Sequence, residues 1–261
     1  MDKQDFLQHL TDEYCSLQEV TAVGIGGSSS GNLTDSLSDI DYYLFVEQAP
    51  DLNWRKKLVQ RMADKYEVGE QYFGDGDEYF AKDINTELDV MFFSRSWFEE
   101  NIRSVWQKFQ ASNGYTTCFA YTMSKLLTLR DDKGWIREMK EILATSYPAE
   151  LQENIIRRNI SLICDKPFSS YYDQIKVALE RNDHVSINHR SAALLASYFD
   201  VLFARNQLLH PGEKRLIQFA ENNCKILPEG FAEDVKNFCI CSYGEKLSTA
   251  RKMIEALKKI L

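Results

Sequence analysis

One stretch near the N-terminus decides the fold: residues 20–46 read VTAVGIGGSSSGNLTDSLSDIDYYLFV. It opens with the β-branched run Val20–Ile25, which predicts a strand that ends at the turn Gly26-Gly27. A polar loop of small residues follows, and the apolar run Ile40–Val46 then predicts a second strand. Two strands joined by a glycine-rich loop are therefore the framework for the other predictions.

Three aspartates lie on or beside the predicted strands. Asp39 and Asp41 are two residues apart, so their side chains project from the same face of the second strand. Asp89 lies in the apolar run Glu87–Phe93, which predicts a third strand, and an acid there is costly unless it is solvated at a strand end or bound to a positive group. If that strand runs beside the second, the three carboxylates converge, and a divalent cation such as Mg²⁺ supplies the counter-charge that they need.

The residues Gly26, Gly27 and Ser28 favour phosphate binding. Where no side chain intervenes, backbone N–H groups approach phosphate oxygens closely, and the Ser28 hydroxyl can add a hydrogen bond. The stretch is not a Walker loop, because no Gly-Lys-Ser/Thr follows it. Taken singly, Gly-Gly-Ser is a common turn and Asp-x-Asp is a common solvated strand end; the order and spacing of all of these features together favour a site for metal and nucleotide.

The rest of the sequence predicts an α+β protein of two domains. Residues 52–66 have apolar positions at helical spacing with Arg55 on the solvent side, and the Gly-Asp-rich segment 74–78 predicts a loop. In the second half of the chain almost every window is helical. We therefore expect a mixed-sheet α/β domain over residues 1–112 and an all-α helical bundle domain over residues 113–261.

The glycine turn, the segment Ser38-Asp39-Ile40-Asp41 with its apolar continuation, and the later acid Asp89 together resemble the signature of the DNA polymerase β-type nucleotidyltransferase superfamily. The antibiotic branch, which comprises the aminoglycoside and lincosamide nucleotidyltransferases and their relatives, looks most similar, since it also places a helical domain after a short α/β domain. The motifs cover residues 20–93, and the helical half is matched only in its layout.

The resemblance implies a polymerase β-like first domain in which Asp39 and Asp41 hold two Mg²⁺ ions. It implies that Asp89 holds one of those ions or activates the acceptor hydroxyl. It also implies that the Gly26-Gly27-Ser28 turn binds the nucleoside triphosphate, with Gly27 and Ser28 at the β- and γ-phosphates. Two metals in such a site stabilise the attacking and leaving oxygens of an in-line displacement.

A lysine from the second half completes the predicted triphosphate site. The loop 28–38 lacks the Arg or Lys that many relatives carry, so the charge must be met from elsewhere. Residues 209–215 read LHPGEKR, a Pro-Gly turn that predicts a helix start with Lys214 in its first turn. Similar nucleotidyltransferases reach a lysine from the helical domain to the triphosphate, which makes Lys214 the candidate. The alternative is a solvated helix start with Lys214 pointing outward.

Charge and composition narrow the partners. The formal net charge of the 261 residues is -8, divided into -13 for residues 1–100 and +5 for the remainder, which fits a cation-binding and an anion-binding module or a drift of surface charge. Because long nucleic acids are bound by neutralising phosphates, this acidic chain without a basic stripe predicts a small-molecule acceptor instead. An acidic first half suits a cationic acceptor such as an aminoglycoside.

Patterns that the sequence lacks indicate the cellular compartment and argue against a zinc site. No apolar stretch approaches the ~18 residues of a membrane span, and the N-terminus lacks a signal-peptide pattern, so we expect a cytoplasmic protein that does not bind membranes. The six cysteines form no C-x-x-C pair and the four histidines form no H-E-x-x-H pattern, which predicts free thiols and no His-built zinc site. The oligomeric state, the acceptor and the preferred base stay open.

The sequence therefore predicts a Mg²⁺-dependent nucleotidyltransferase that moves an NMP from an NTP, with ATP as the expected donor, to a hydroxyl of a small molecule and releases pyrophosphate. Two alternatives stay open: a non-catalytic nucleotide-binding or regulatory protein of the same fold, and a nucleotidyltransferase that acts on a protein side chain. The presence of all three acids argues against the first, since a protein without catalysis does not need a costly carboxylate cluster.

Overall fold

The structure of this protein is a computed structural model that describes residues 2–26, 39–72, 74–166 and 169–261. Contacts divide the chain into two compact units, the first within residues 1–103 and 122–145 and the second within residues 104–121 and 146–261. The predicted boundary between residues 112 and 113 stays a prediction. Across the described helices, none is both long enough and apolar enough to cross a bilayer.

A mixed six-stranded sheet forms the first unit as far as it is described. Its strands are β1 (Val20–Ile25), β2 (Ile40–Val46), β3 (Ala63–Glu70), β4 (Asp75–Ala81), β5 (Thr86–Ser94) and β6 (Leu127–Arg130). Their order is β3-β4-β5-β2-β1-β6, in which β2 and β5 run parallel and all other neighbours run antiparallel. The sheet confirms the predicted α/β character of the N-terminal half.

Alternation along β2 gives the sheet two different faces. Tyr42 and Leu44 point into the main core, where α1 (Lys3–Cys15) and α2 (Leu52–Met62) cover the sheet. Phe45 points to the opposite face, where its ring contacts Phe98 of α3 (Arg95–Trp106) and Trp135 of α5 (Trp135–Leu143). Asp41 alternates with the core residues and therefore lies on this second face.

The prediction for Arg55 is wrong, because the side chain is 1% exposed rather than solvated. Its guanidinium donates to Asp77 (Nε to Oδ2, 2.9 Å) and to the carbonyl of Gly76 (2.9 Å), and it lies over the ring of Phe92. The backbone N–H of Gly69 donates to the same Asp77 carboxylate. A buried charge is tolerated when it is paired and fully hydrogen-bonded, so this cluster fastens α2 to the β3–β4 hairpin.

Three boundaries also differ from the prediction. Residues 75–78 of the predicted loop belong to strand β4, because their backbone pairs with β3 on one side and β5 on the other. Helix α2 ends at Met62 instead of residue 66, where β3 takes over. Residues Leu127–Arg130 pair with β1 as β6, although the surrounding sequence is helical. In each case pairing with a distant strand overrides the local pattern.

Helices make up the described part of the second unit, as predicted for the C-terminal half. They are α6 (Ala149–Ile160), which continues into a π-helical turn, α7 (Tyr171–Glu180), α8 (His184–Arg205), α9 (Leu216–Asn223), α10 (Phe231–Ile240) and α11 (Lys246–Lys258); α4 (Cys118–Lys125), like α3, has residues in both units. Helix α8 supplies much of the core through a run of buried residues from Ser197 to Ala204. The predicted α+β class is confirmed.

A buried polar cluster in the second unit anchors residues 112–117. The carboxylate of Asp200 accepts hydrogen bonds from the Thr116 backbone (3.0 Å), the Thr116 hydroxyl (2.6 Å) and the Asn159 amide (3.1 Å). Burial raises the pKa of Asp200 to about 6, although these bonds oppose the shift. Asp200 is therefore buried with neutral hydrogen-bond donors around its carboxylate.

His210 lies in the same unit and is fully buried. Its backbone N–H donates to the Thr117 hydroxyl (2.8 Å), and its Nδ1 accepts from the backbone N–H of Gly212 (3.2 Å). The rings of Tyr115 and Phe203 pack against the imidazole. Burial lowers the pKa of His210 to about 4, so the imidazole is neutral at physiological pH and holds the segment that leads to Lys214.

Candidate active site

The pairing of β2 with β5 brings predicted site residues together. Asp41 is the direct register partner of Asp89 in this parallel pair. Partners in register point to the same face of a sheet, so the two carboxylates are neighbours. Asp39 directly precedes β2 and lies two residues before Asp41, which places it on the same face in extended backbone. All three residues are partly exposed.

The carboxylate row continues across the sheet into residues that the sequence analysis missed. Glu78 of β4 is the register partner of Asp89, and Glu67 of β3 is the partner of Glu78. Glu87 lies two residues before Asp89 and shares its face. Predicting segment 74–78 as a loop concealed Glu78, and the aromatic pair Tyr79-Phe80 that follows it, a composition typical of strands, was the signal that could have found it.

Four of these acids, Asp39, Glu78, Glu87 and Asp89, line a cavity of about 350 Å³ together with Glu70 and Tyr72, and Asp41 is not among the lining residues. A hydrogen bond shared with Glu87 raises the pKa of Glu78, and partial burial and the negative charges of Glu87 and Asp89 add to the effect. Glu78 thus keeps its proton to a higher pH than an isolated glutamate does. The potential of the cavity is negative and favours a cationic ligand.

The carboxylate oxygens of the site fit a Mg²⁺ ion whose remaining ligands come from the substrate. Within residues 2–26, 39–72, 74–166 and 169–261, no three His, Cys, Asp or Glu side chains are already grouped around one metal position. Mg²⁺ does not require such a cage, because it is usually held by one or two carboxylates together with phosphate oxygens and water. The neighbouring carboxylates of Asp41 and Asp89 offer the oxygen donors that this ion prefers.

Gly26 is the first residue of the predicted phosphate loop and lies beside Asp41. Its backbone N–H donates to the carbonyl oxygen of Asp41 at 2.9 Å. Gly27 and Ser28 lie outside the described residues, so their predicted contacts with the β- and γ-phosphates stay predictions. The described structure therefore fixes the first residue of the Gly-Gly-Ser turn relative to Asp41.

Lys214 is exposed and lies in the turn before α9. The prediction that it occupies the first turn of a helix is wrong, because the helix begins two residues later at Leu216. Left-handed backbone at Gly212 (φ +105°) and Arg215 (φ +55°) keeps the chain from entering the helix earlier. The role of Lys214 at the triphosphate stays a prediction.

Thirteen chains of solved structures are similar to this chain, and two of them are described below. No protein-family model matches the chain, and no curated protein is similar to it. A nucleotidyltransferase-like protein from Exiguobacterium sibiricum 255-15 has 8% identity and a TM-score of 0.46 over 97% of this chain and 72% of that chain. The Thermotoga maritima CCA-adding enzyme, solved with tRNA, has 12% identity and a TM-score of 0.30 over 98% of this chain and 80% of that chain. Neither likeness adds to the assignment of function, which rests on the residues of the site.

Proposed function

We propose that this chain is a Mg²⁺-dependent nucleotidyltransferase of the DNA polymerase β type, which transfers an NMP from an NTP to a hydroxyl of a small molecule and releases pyrophosphate. The register of β2 and β5, which sets Asp41 beside Asp89 on the face that Asp39 shares, is the observation that carries the proposal. Together with the Gly26-Gly27-Ser28 turn that precedes them, these acids reproduce the order of the motif that the sequence resembles.

Each acid has a role in this proposal. Asp39 and Asp41 hold the metal, and Asp89 either shares in holding it or accepts the proton of the attacking hydroxyl. Bound Mg²⁺ would neutralise the triphosphate and stabilise the charge that develops on the attacking and leaving oxygens. The acceptor oxygen forms a bond to the α-phosphorus, the bond from that phosphorus to the bridging oxygen breaks, and pyrophosphate leaves with both electrons of that bond.

The triphosphate is bound by main-chain and cationic groups. Gly26, Gly27 and Ser28 supply backbone N–H groups and a hydroxyl, as expected where a glycine-rich segment follows a strand. Lys214 is proposed to add a positive charge, with ATP as the expected donor. Since the acids of the site are negative, the affinity for the nucleotide should depend strongly on Mg²⁺.

The proposed acceptor is a small cationic molecule, with aminoglycosides as the first candidates and lincosamides as the second. The acidic lining of the cavity supports this order, because Glu70, Glu78 and Glu87 extend the negative surface beyond Asp39 and Asp89. A polyamine such as an aminoglycoside gains from that potential, whereas an anionic acceptor would be repelled.

The test is to incubate the protein with Mg²⁺ and each α-labelled NTP, alone and with aminoglycosides, lincosamides or cell extract. Pyrophosphate release and a mass gain of one NMP on a small acceptor are expected. Asp41→Asn should abolish both, while the control Asp83→Asn, which changes an exposed acid in the β4–β5 turn, should leave both intact. Equal turnover by wild type and Asp41→Asn would overturn the proposal, label on a protein would change the acceptor class, and binding of NTP without turnover would favour the non-catalytic alternative.

A further inference from the structure

Gly26 is a glycine because of space and not because of backbone conformation. Among the described glycines, those with left-handed φ angles do not include Gly26. A Cβ atom built on Gly26 would lie 2.3 Å from Cε2 of Tyr43 and 3.0 Å from its Cδ2 and Cζ. Such distances are far below van der Waals contact. The ring of Tyr43 therefore occupies the space that a side chain at position 26 would need.

The Tyr43 ring is held from its other side by an aromatic stack. It lies parallel to the ring of Phe93, with centroids 5.5 Å apart and planes at 10°. Phe93 in turn stacks on Trp97 at 6.4 Å and 16°. Because this stack limits retreat of the Tyr43 ring, pressure from a larger residue at position 26 would be transmitted to the backbone of β1 and to the start of the loop.

The same ring is adjacent to the carboxylate row. Tyr43 lies two residues after Asp41 in β2 and so projects from the same face. Gly26 donates its backbone N–H to the carbonyl of Asp41. One ring thus packs against the first residue of the Gly-Gly-Ser turn within two residues of a proposed metal ligand.

We propose that Tyr43 is a positioning residue that clamps Gly26 beside Asp41 and so sets where the phosphate loop begins relative to the carboxylates. This inference rests on the proposed function, since it assigns Tyr43 to the alignment of the bound triphosphate. It assigns the alignment role to the ring of Tyr43. It also predicts that residues 26 and 43 are energetically coupled.

The test compares Tyr43→Leu, Tyr43→Phe, Gly26→Ala and the double variant Gly26→Ala/Tyr43→Leu. The probes are α,β-methylene-ATP with Mg²⁺, followed by calorimetry, and Mn²⁺ alone, followed by electron paramagnetic resonance. Tyr43→Leu should weaken binding of the analogue and raise the KM for ATP by about tenfold, with Mn²⁺ affinity and kcat within about threefold of wild type. Tyr43→Phe should match the wild type, which a role for the hydroxyl would not allow.

Two further measurements distinguish a role of Tyr43 in positioning Gly26 from a role in overall stability: the energetic coupling of residues 26 and 43, and hydrogen exchange at the Gly26 amide. Gly26→Ala should weaken nucleotide binding more than Tyr43→Leu, and the double variant should bind better than Gly26→Ala, because the obstructing ring is gone. Hydrogen exchange of the Gly26 amide should accelerate at least tenfold in Tyr43→Leu and stay slow in Tyr43→Phe. The melting temperature of each variant shows whether it is globally folded. If Tyr43→Leu does not fold, the affinities of Gly26→Ala for the nucleotide analogue and for Mn²⁺ decide: a loss of nucleotide affinity alone supports the proposal, and no loss contradicts it.

The outcomes distinguish the two proposals. A wild-type protein that binds no analogue and turns over no NTP overturns the proposed function and this inference with it. A wild-type protein that binds and turns over, with variants at positions 26 and 43 that bind equally well and exchange equally slowly, overturns the inference alone. An equal loss of Mn²⁺ affinity and nucleotide affinity would also contradict it, because the ring would then support the carboxylates rather than the loop.

Discussion

Two groups of carboxylates in this protein are organised in opposite ways. In the second unit Asp200 is 2% exposed and receives three hydrogen bonds from neutral donors. In the first unit Asp41 and Asp89 are partly exposed, and they lie beside each other in a row that continues to Glu78. The first arrangement stabilises a loop, whereas the second concentrates like charge where a cavity is open to ligands. The difference separates acids that serve the fold from acids that are available for chemistry.

The largest expected effect on activity comes from a substitution of Asp89 in the carboxylate row. Changing Asp89→Asn removes one negative charge from the row, so NMP transfer should fall by more than about a hundredfold. The melting temperature without Mg²⁺ should not fall, because repulsion within the row is relieved. Turnover assays and calorimetry on the same preparation measure both. A variant that melts well below the wild type would show that Asp89 serves the fold, as Asp200 does.

His210 supplies the next largest effect. Its pKa is lowered to about 4 in the folded chain, against about 6.5 when unfolded, so the unfolded state binds the proton first and stability rises with pH across this window. His210→Asn removes that contribution. Relative to wild type, the free energy of unfolding of the variant should therefore fall by about 3 kcal/mol between pH 4 and pH 6.5. Urea titrations at several pH values measure the difference, and a constant difference would contradict it.

Asp200 should show a slope of the opposite sign. Its pKa is raised to about 6 in the folded chain, against about 3.9 when unfolded, so the folded state keeps its proton longer and stability is lost as pH rises through this range. Asp200→Asn should gain about 2 kcal/mol relative to wild type between pH 4 and pH 6. In the wild type this contribution opposes that of His210. The control Glu229→Ala, at an exposed position of the same unit, keeps both groups, so its free energy of unfolding should differ from that of the wild type by a constant amount across this pH range.

The smallest expected effect concerns Lys214. If its exposed ammonium group meets the triphosphate, Lys214→Ala should raise the KM for ATP by about threefold to tenfold with little change in kcat, because a uniform binding interaction is lost. Lys225→Ala, which removes another exposed lysine of the second unit, is the matched control. Identical KM values for wild type and Lys214→Ala would remove Lys214 from the site.

The sequence was informative where apolar alternation is strong and long. It predicted β1, β2 and β5, because each strand buries one face and β-branched or aromatic residues dominate. It failed at β4, since Gly76 and the acids around it have the composition of a turn and only pairing with two neighbours makes them a strand. It also failed at Arg55, whose burial depends on Asp77, a partner that no local periodicity identifies.

The candidate site was predictable only in part, for a similar reason. The spacing of Asp39 and Asp41 fixes a shared face without any tertiary information. The approach of Asp89 depends on which strand pairs with β2 and in which direction, and the sequence left that as a condition. Glu78 was missed together with β4. The roles of these residues, of Gly27 and Ser28, and of Lys214 stay predictions.

The parallel pairing of β2 with β5 has one more consequence. A slip of one residue in β5 would turn Asp89 into the core and Leu88 and Val90 out to water. Exposing those two side chains would cost about 1.5 to 3 kcal/mol each. Burial of the core side chains of β5 thus sets the register that places Asp89 beside Asp41. One residue inserted ahead of Asp89 would uncouple the packing of the core from the alignment of the two acids.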